Sequence, residues 1–301
     1  MIDIGINLTS DKFHKDTDAV VARAHEAGLT HLILTGTSVK ASRDALQLCK
    51  RFASAKNVPT MRCTIGVHPH DAKTWSASVD AHLRELLSQN PGLVVAVGEC
   101  GLDYNRMFSP EAEQVAAFEA QIRIAVDLQL PLFLHQRDAH DAFLAILQKH
   151  RDALKDLPIV VHCFTGSLEE CQAYLAFSPH CYIGLTGFIC DDREGRGLHL
   201  DKVCQAIPAD RLLIETDGPY VLPRNIPRPV QRQIVLGGRC EPCMIVWVLQ
   251  RLAQHRGITT DEGVAELAKQ IHANTLRVFF TKRAKDDAQL VVTEEKESQD
   301  Q

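Results

Sequence analysis

Short runs of apolar and β-branched residues recur along the chain, ending near Asn7, Thr35, His68, Glu99, His135, His162, Thr186 and Asp217. Consecutive ends lie 24 to 36 residues apart, close to the ~30 residues of one strand plus the helix that returns the chain to its start. The segments between the runs carry helix signals. Asp16 to Ala27 has acids in its first turn and Gly28 just past its end. Ser109-Pro110-Glu111 offers an N-cap, an N1 proline and a first-turn acid, after which Val115, Phe118, Ile122 and Ala125 recur at helical spacing. Ser167 and Glu170 form a capping-box pattern ahead of Leu175. Eight alternating units predict a (β/α)8 TIM-type barrel in a single domain spanning residues 1–280. An open doubly wound sheet would show a glycine-rich phosphate loop after its first strand, and Gly5-Ile6-Asn7-Leu8-Thr9 is not one. Beyond the eighth run, helices are expected from about Glu241 to Arg256 and from about Thr260 to Lys269.

Composition narrows the class. Of 301 residues, 45% are apolar and 24% charged, and no apolar run approaches the ~20 residues of a membrane-spanning helix. From Lys282 onward, four Lys/Arg and six Asp/Glu surround a short apolar patch, Leu290 to Val292. Residues 281–301 are therefore expected to form a charged, disordered tail. A net charge of −5 leaves no global basic field, so contact with a polyanion has to come from local patches. Ten cysteines in a chain this long fall below disulfide-scaffold density, and Cys63, Cys163, Cys181 and Cys204 sit in apolar segments. They read as buried, reduced thiols, pointing to an intracellular protein, cytoplasmic or, in a eukaryote, nuclear.

The candidate chemistry lies where barrels keep it, at the C-terminal ends of the strands. The third run ends in His68, the fourth in Glu99, the fifth in His135, the sixth in His162 and the eighth in Asp217. In a closed barrel these ends converge on one mouth, and so many buried, unpaired polar groups would cost several kcal/mol. A divalent cation removes that cost, because carboxylates neutralise it and neutral imidazoles complete its shell. Glu99, His135, His162 and Asp217 are the candidate ligands, for Mg, Mn or Zn. Other histidines, such as His82, His150 and His255, read as structural. From Gly218 to Cys240 there are four arginines, Arg224, Arg228, Arg232 and Arg239, and no acid. Guanidinium forks suit phosphate oxygens, and Arg137, Arg193 and Arg196 extend the patch, favouring a phosphate ester as substrate. Cys240 and Cys243 form an isolated C-x-x-C, a weak metal or redox signal. Pro242 reads instead as the start of a helix, with Glu241 near its positive end.

Six ordered motifs resemble one family. They are Asp3 to Thr9, Gly66-Val67-His68-Pro69-His70, Gly98-Glu99-Cys100-Gly101-Leu102-Asp103-Tyr104, Leu134-His135 with Arg137 to His140, His162-Cys163-Phe164-Thr165-Gly166, and Glu215-Thr216-Asp217 with Pro219-Tyr220. Over residues 1 to about 280 the chain is similar to the TatD-family metal-dependent hydrolases, within the amidohydrolase-like barrels. The resemblance implies a divalent-metal deoxyribonuclease, a 3′→5′ exonuclease acting on DNA; contacts to the backbone, which carries no sequence information, imply little base specificity. Glu99, His135, His162 and Asp217 take the family's metal-ligand positions, for one or two ions, and His68 that of its active-site histidine. Four positions depart from the family pattern. Gly5 and Asn7 stand where many members have a His-x-His pair for a second metal, Cys240 stands where they have Asn, and Gln136 where they often have Cys.

The expected mechanism has Glu99, His135 and His162 hold a metal that activates water. Asp217 accepts the proton, and His68 with His70 stabilises the scissile phosphate or protonates the leaving oxygen. Arg239 and Arg137 position the backbone. Two alternatives stand beside this: a metal-dependent hydrolase of a small ester, lactone or amide, and a non-catalytic barrel serving as a binding protein. No membrane partner is expected, and the sequence is compatible with a monomer.

Overall fold

The computed structural model describes residues 1–280 except 194, 195 and 235. The expected tail, 281–301, lies outside the described residues. Eight parallel strands follow one another in sequence order: β1 (Ile2–Ile6), β2 (His31–Leu34), β3 (Thr60–Ile65), β4 (Val94–Asp103), β5 (Leu132–Arg137), β6 (Ile159–Val161), β7 (Cys181–Leu185) and β8 (Leu212–Ile214). Past β8 the chain meets β1 again. Ile6 bridges Gly218, the Asp217 N–H donates to Gly5 O at 2.9 Å, and the Asn7 N–H donates to Gly218 O at 2.8 Å. That contact brings the first and last strand ends to one mouth, as a barrel requires.

The strands are apolar on both faces because they are buried on both. One cluster, with Ile2, Ile4, Ile33, Val95, Phe133, Val160, Tyr182 and Leu213, joins residues from seven of the strands. A larger cluster packs the return helices onto the sheet. Helix boundaries follow local signals where those are strong. The helix Thr17–Glu26 stops before Gly28 (φ +81°), and Leu168–Phe177 opens on the Ser167/Glu170 capping box.

Elsewhere tertiary contacts override them. Ser109 does not cap the helix Glu111–Leu128, where Pro110 takes the cap position. The Ser109 hydroxyl donates instead to His70 O at 2.8 Å and accepts from the Lys73 N–H at 3.0 Å, tying two mouth loops together. The helix expected from Glu241 begins at Ile245, after a 3-10 turn at Pro242–Met244. The last helix, Asp261–Phe279, runs past Lys269, and its end brings Val278 and Phe279 into the strand cluster. Asn274, which breaks the apolar pattern, is buried there and donates to Ala209 O and Leu212 O. Among the described residues no helix is long and apolar enough to cross a membrane.

Candidate metal centre

β4 and β5 pair in register at Val97–Leu132 and again from Cys100–Leu134, with an irregularity between. Glu99 sits in that break, the kind of interruption that re-aims a side chain. Its own N–H donates to Gly36 O at 2.8 Å. The residue before it must be glycine: Gly98 has φ +141°, and a Cβ there would lie 2.1 Å from Phe133 O.

The aimed carboxylate gathers three imidazoles. Glu99 Oε1 lies 2.8 Å from His162 Nε2, 2.9 Å from His135 Nδ1 and 3.2 Å from His68 Nε2. His135 belongs to β5, and His162 follows β6, its N–H donating to Leu134 O at 3.0 Å. His68 lies three residues beyond β3, at the start of a 3-10 turn, Pro69–Thr74. Two more carboxylates stand behind the rings. Asp103 Oδ2 is 2.7 Å from His70 Nε2 and 3.4 Å from His135 Nε2, and Asp103 Oδ1 accepts the N–H groups of Asn105 and Arg106. Glu215 Oε2 is 3.4 Å from His162 Nδ1, while its Oε1 accepts the Cys163 N–H at 2.6 Å.

Burial raises the Glu99 carboxyl, but His162 and His68 and the hydrogen bonds from His135 and His162 outweigh it, holding Glu99 well below the usual carboxylate range. The rings respond differently. Burial lowers His68 to about 4, with His135 and His70 adding to it against the pull of Glu99. His162 is also penalised by burial, yet Glu99 and Glu215 lift it well above its ordinary value. For Asp103, burial is overcome by hydrogen bonds from His135, His70 and the Arg106 N–H, and its carboxyl falls below the usual range.

The residues fit a divalent cation. His68, Glu99 and His135 offer ligand atoms within 4.8 Å of one another. His135 Nε2 and His162 Nδ1 are buried without a well-formed hydrogen bond, despite the carboxylates at 3.4 Å. One ionised oxygen ringed by three imidazoles is a set whose lone pairs a cation satisfies better than shared protons do. Three of the four expected ligands, Glu99, His135 and His162, thus meet at one oxygen, and His68, expected as an active-site histidine, joins them at 3.2 Å. Asp217 lines the same cavity, but its hydrogen bond is from Asn7 Nδ2, at 2.9 Å to Oδ1. Burial, reinforced by Glu99 and Glu215 and opposed by His162 and His135, pushes Asp217 up to about 8.

The cavity holds about 880 Å³ and is lined by Arg106, Arg137, Arg193, Arg196 and Arg224 as well as the cluster. Arg137 donates to Thr165 Oγ1 at 3.0 Å, and Arg193 and Arg224 share Asp191. Arg239, expected to touch substrate, is not among the lining residues. Its guanidinium is bound to Asp16 at 2.5 Å and to the fully buried Glu241 at 2.9 Å, donates to Lys12 O, and covers the Phe13 ring. Glu241 accepts Arg23 as well, so it anchors the loop before the helix rather than answering a helix end. Cys163, expected to be buried, is half-exposed at the cavity, whereas Cys63, Cys181, Cys204 and Cys240 are buried.

Asp103 and Glu215 carry no role in the sequence reading. A glutamate directly after the apolar run Leu212–Ile214 was the available signal for the second. The glycine at position 5 is its complement: a Cβ there would lie 2.0 Å from Glu215 Oε2. The space a histidine would need is filled by a buried carboxylate.

With the geometry in place, comparison with known proteins is specific. Residues 2–280 match the family model described as TatD related DNase. A protein of Escherichia coli strain K12 named 3′-5′ ssDNA/RNA exonuclease TatD is 46% identical over 280 residues, covering 93% of this chain and 98% of that protein. One of the same name from Salmonella typhimurium is 46% identical over 281 residues, with the same coverage. A crystal structure of a TatD-family hydrolase from Entamoeba histolytica superposes with a TM-score of 0.80 at 27% identity, covering 93% of this chain and 98% of that one. An amidohydrolase structure from Saccharomyces cerevisiae, at TM-score 0.81 and 24% identity over 92% of this chain and 99% of that one, shares the fold. The motifs read along the strands agree with the family match, and the chain belongs to the TatD related DNase family.

Proposed function

We propose that the protein is a metal-dependent 3′→5′ exonuclease that hydrolyses phosphodiester bonds of DNA held by their backbone. The convergence of His68, His135 and His162 on one oxygen of Glu99, within an arginine-lined cavity, carries this reading. Identity of 46% to proteins named for that activity supports it. Glu99, His135, His162 and His68 would hold a divalent cation, Mg, Mn or Zn, that supplies Lewis acidity to the phosphoryl group and makes water a nucleophile near neutral pH.

The remaining roles belong to the chain itself. Asp217, held by Asn7 at the same cavity, is the proton acceptor, and its ionisation is favoured once positive charge enters the cluster. His70, its Nε2 held by Asp103 and its ring lining the cavity, would give a proton to the leaving oxygen. Arg137, tied to Thr165, and Arg196 bind phosphate oxygens, which carry no sequence information. Arg137 also has Asp138 Oδ1 at 3.7 Å, and guanidinium forks suit a phosphate diester better than a neutral lactone or amide. Intracellular action forms part of the proposal and rests on ten free cysteines.

Glu99→Gln tests the site. It keeps the shape of the side chain but removes the charge that three rings share. Release of nucleotides from a 5′-labelled single strand in Mg²⁺, Mn²⁺ or Zn²⁺ should fall by more than about a hundredfold, since loss of even an outer metal partner costs about ten- to a hundredfold. Mn²⁺ should raise the melting temperature of the wild type but not of the variant. Wild-type turnover by Glu99→Gln would sink the assignment.

A further inference from the structure

Among the described residues the large apolar side chains that stand exposed are Met107, Phe108, Leu198 and Tyr220, and all lie in loops following β4, β7 and β8. That is the face holding the histidine cluster. Single exposed apolar residues are ordinary, but their confinement to the rim of one polar cavity is not.

Phe108 is 60% exposed, yet its loop is tethered. Its carbonyl accepts Lys73 Nζ at 3.1 Å, and the Ser109 hydroxyl beside it bridges His70 O and the Lys73 N–H. The Phe108 ring meets the His70 ring edge-on at 4.8 Å, and His70 meets His68 at 4.2 Å. Two ring contacts therefore separate Phe108 from a group on Glu99. Tyr220 lines the cavity from the other side: its N–H donates to Asp217 O at 3.0 Å, and Lys12 Nζ lies 5.6 Å from its ring centroid. β4 and β8 are four strands apart in an order of eight, so the loops that carry the two rings leave the barrel from opposite sides of its mouth.

We propose that Phe108 and Tyr220 are stacking platforms for unpaired nucleobases on either side of the scissile phosphate. The inference rests on the nuclease reading above. Every base offers a π face, so stacking adds affinity without choosing sequence. Bases within a duplex are already stacked and cannot offer that face. The arginines hold phosphates and the rings hold bases, a division that suits a strand threaded end-first.

Steady-state kinetics of the full chain with Mg²⁺ or Mn²⁺ on two labelled single strands of equal length provide the test. One is oligothymidylate, and the other carries tetrahydrofuran abasic residues at its 3′ end. The wild type should show a KM about five- to a hundredfold lower for the base-bearing strand. Phe108→Leu, which stays apolar but loses the π face, should erase most of that preference through KM rather than kcat, and Phe108→Trp should restore it. Equal KM values for the two strands in the wild type, or an undiminished preference in Phe108→Leu, would overturn the stacking proposal alone. A wild type that hydrolyses neither strand with Mg²⁺, Mn²⁺ or, in a parallel assay, Zn²⁺ overturns the nuclease reading and the stacking with it.

Discussion

Gly5→Ala perturbs the most crowded contact beneath the cluster. The added Cβ would stand 2.0 Å from Glu215 Oε2 and 3.2 Å from Phe133 Cζ, where carbon contacts settle at about 3.5–4.0 Å. Glu215 has nowhere to go. It is fully buried, its Oε1 accepts the Cys163 N–H at 2.6 Å, and its Oε2 is 3.4 Å from His162 Nδ1. Either β1 moves, straining the contact with the loop after β8, or the carboxylate releases Cys163. Overpacking a core costs about 1–3 kcal/mol, and losing a hydrogen bond to a charged group about 1.5–3 kcal/mol. Because relaxation spreads the strain, the variant should be destabilised by about 2–4 kcal/mol, a large share of a typical 5–15 kcal/mol. Urea unfolding followed by circular dichroism should show a lower midpoint at unchanged slope. Glu215→Ala removes the clashing oxygens, so the double variant should be more stable than the sum of the single losses allows, with a coupling of at least about 1 kcal/mol. Additive losses, or a Gly5→Ala midpoint equal to the wild type, would refute the close approach of Gly5 and Glu215.

Other outcomes follow from groups outside the cluster. Burial pushes the Asp3 carboxyl up to about 7, against hydrogen bonds from Thr216 and Gly5. The native state therefore holds this proton more tightly than the unfolded chain. The stability it contributes is full below about pH 4 and is lost as the pH rises through 7. Asp3→Asn, which imitates the neutral acid, should flatten that decline by up to about 4 kcal/mol; parallel urea-midpoint profiles for wild type and variant between these pH values would disprove it. Arg239→Ala leaves the buried Glu241 with Arg23 alone and should destabilise the protein by about 3–5 kcal/mol. A raised KM with unaltered thermal stability would show instead that Arg239 binds substrate.

Much of this architecture is written locally. Parallel strands buried on both faces leave apolar runs that alternation cannot disguise, and their spacing betrays the return helices. Glu99, His135 and His162 were legible because each terminates or interrupts such a run at the same end of its unit. Ser167 and Glu170 need only one another to cap a helix, so their pattern survives folding unchanged. Ser109 shows the opposite case. A serine before a proline signals a cap, but the nearby His70 carbonyl and Lys73 amide compete for the hydroxyl and win. Arg239 misleads for the same reason: a basic loop suggests phosphate until Asp16 and Glu241, distant or differently paired in any local reading, are brought against it.

Residue order alone determined the eight units, the face on which chemistry gathers and most of the side chains that gather there, because periodicity and strand ends are properties of neighbours along the chain. Only the closed barrel decided that three imidazoles share one oxygen of Glu99, that Glu215 fills the space above Gly5, and that Asp103 stands behind His135 and His70. Those relations depend on the break in the β4–β5 ladder and on the return of β8 to β1. Both join residues far apart in sequence, and no local pattern encodes a distance of that kind.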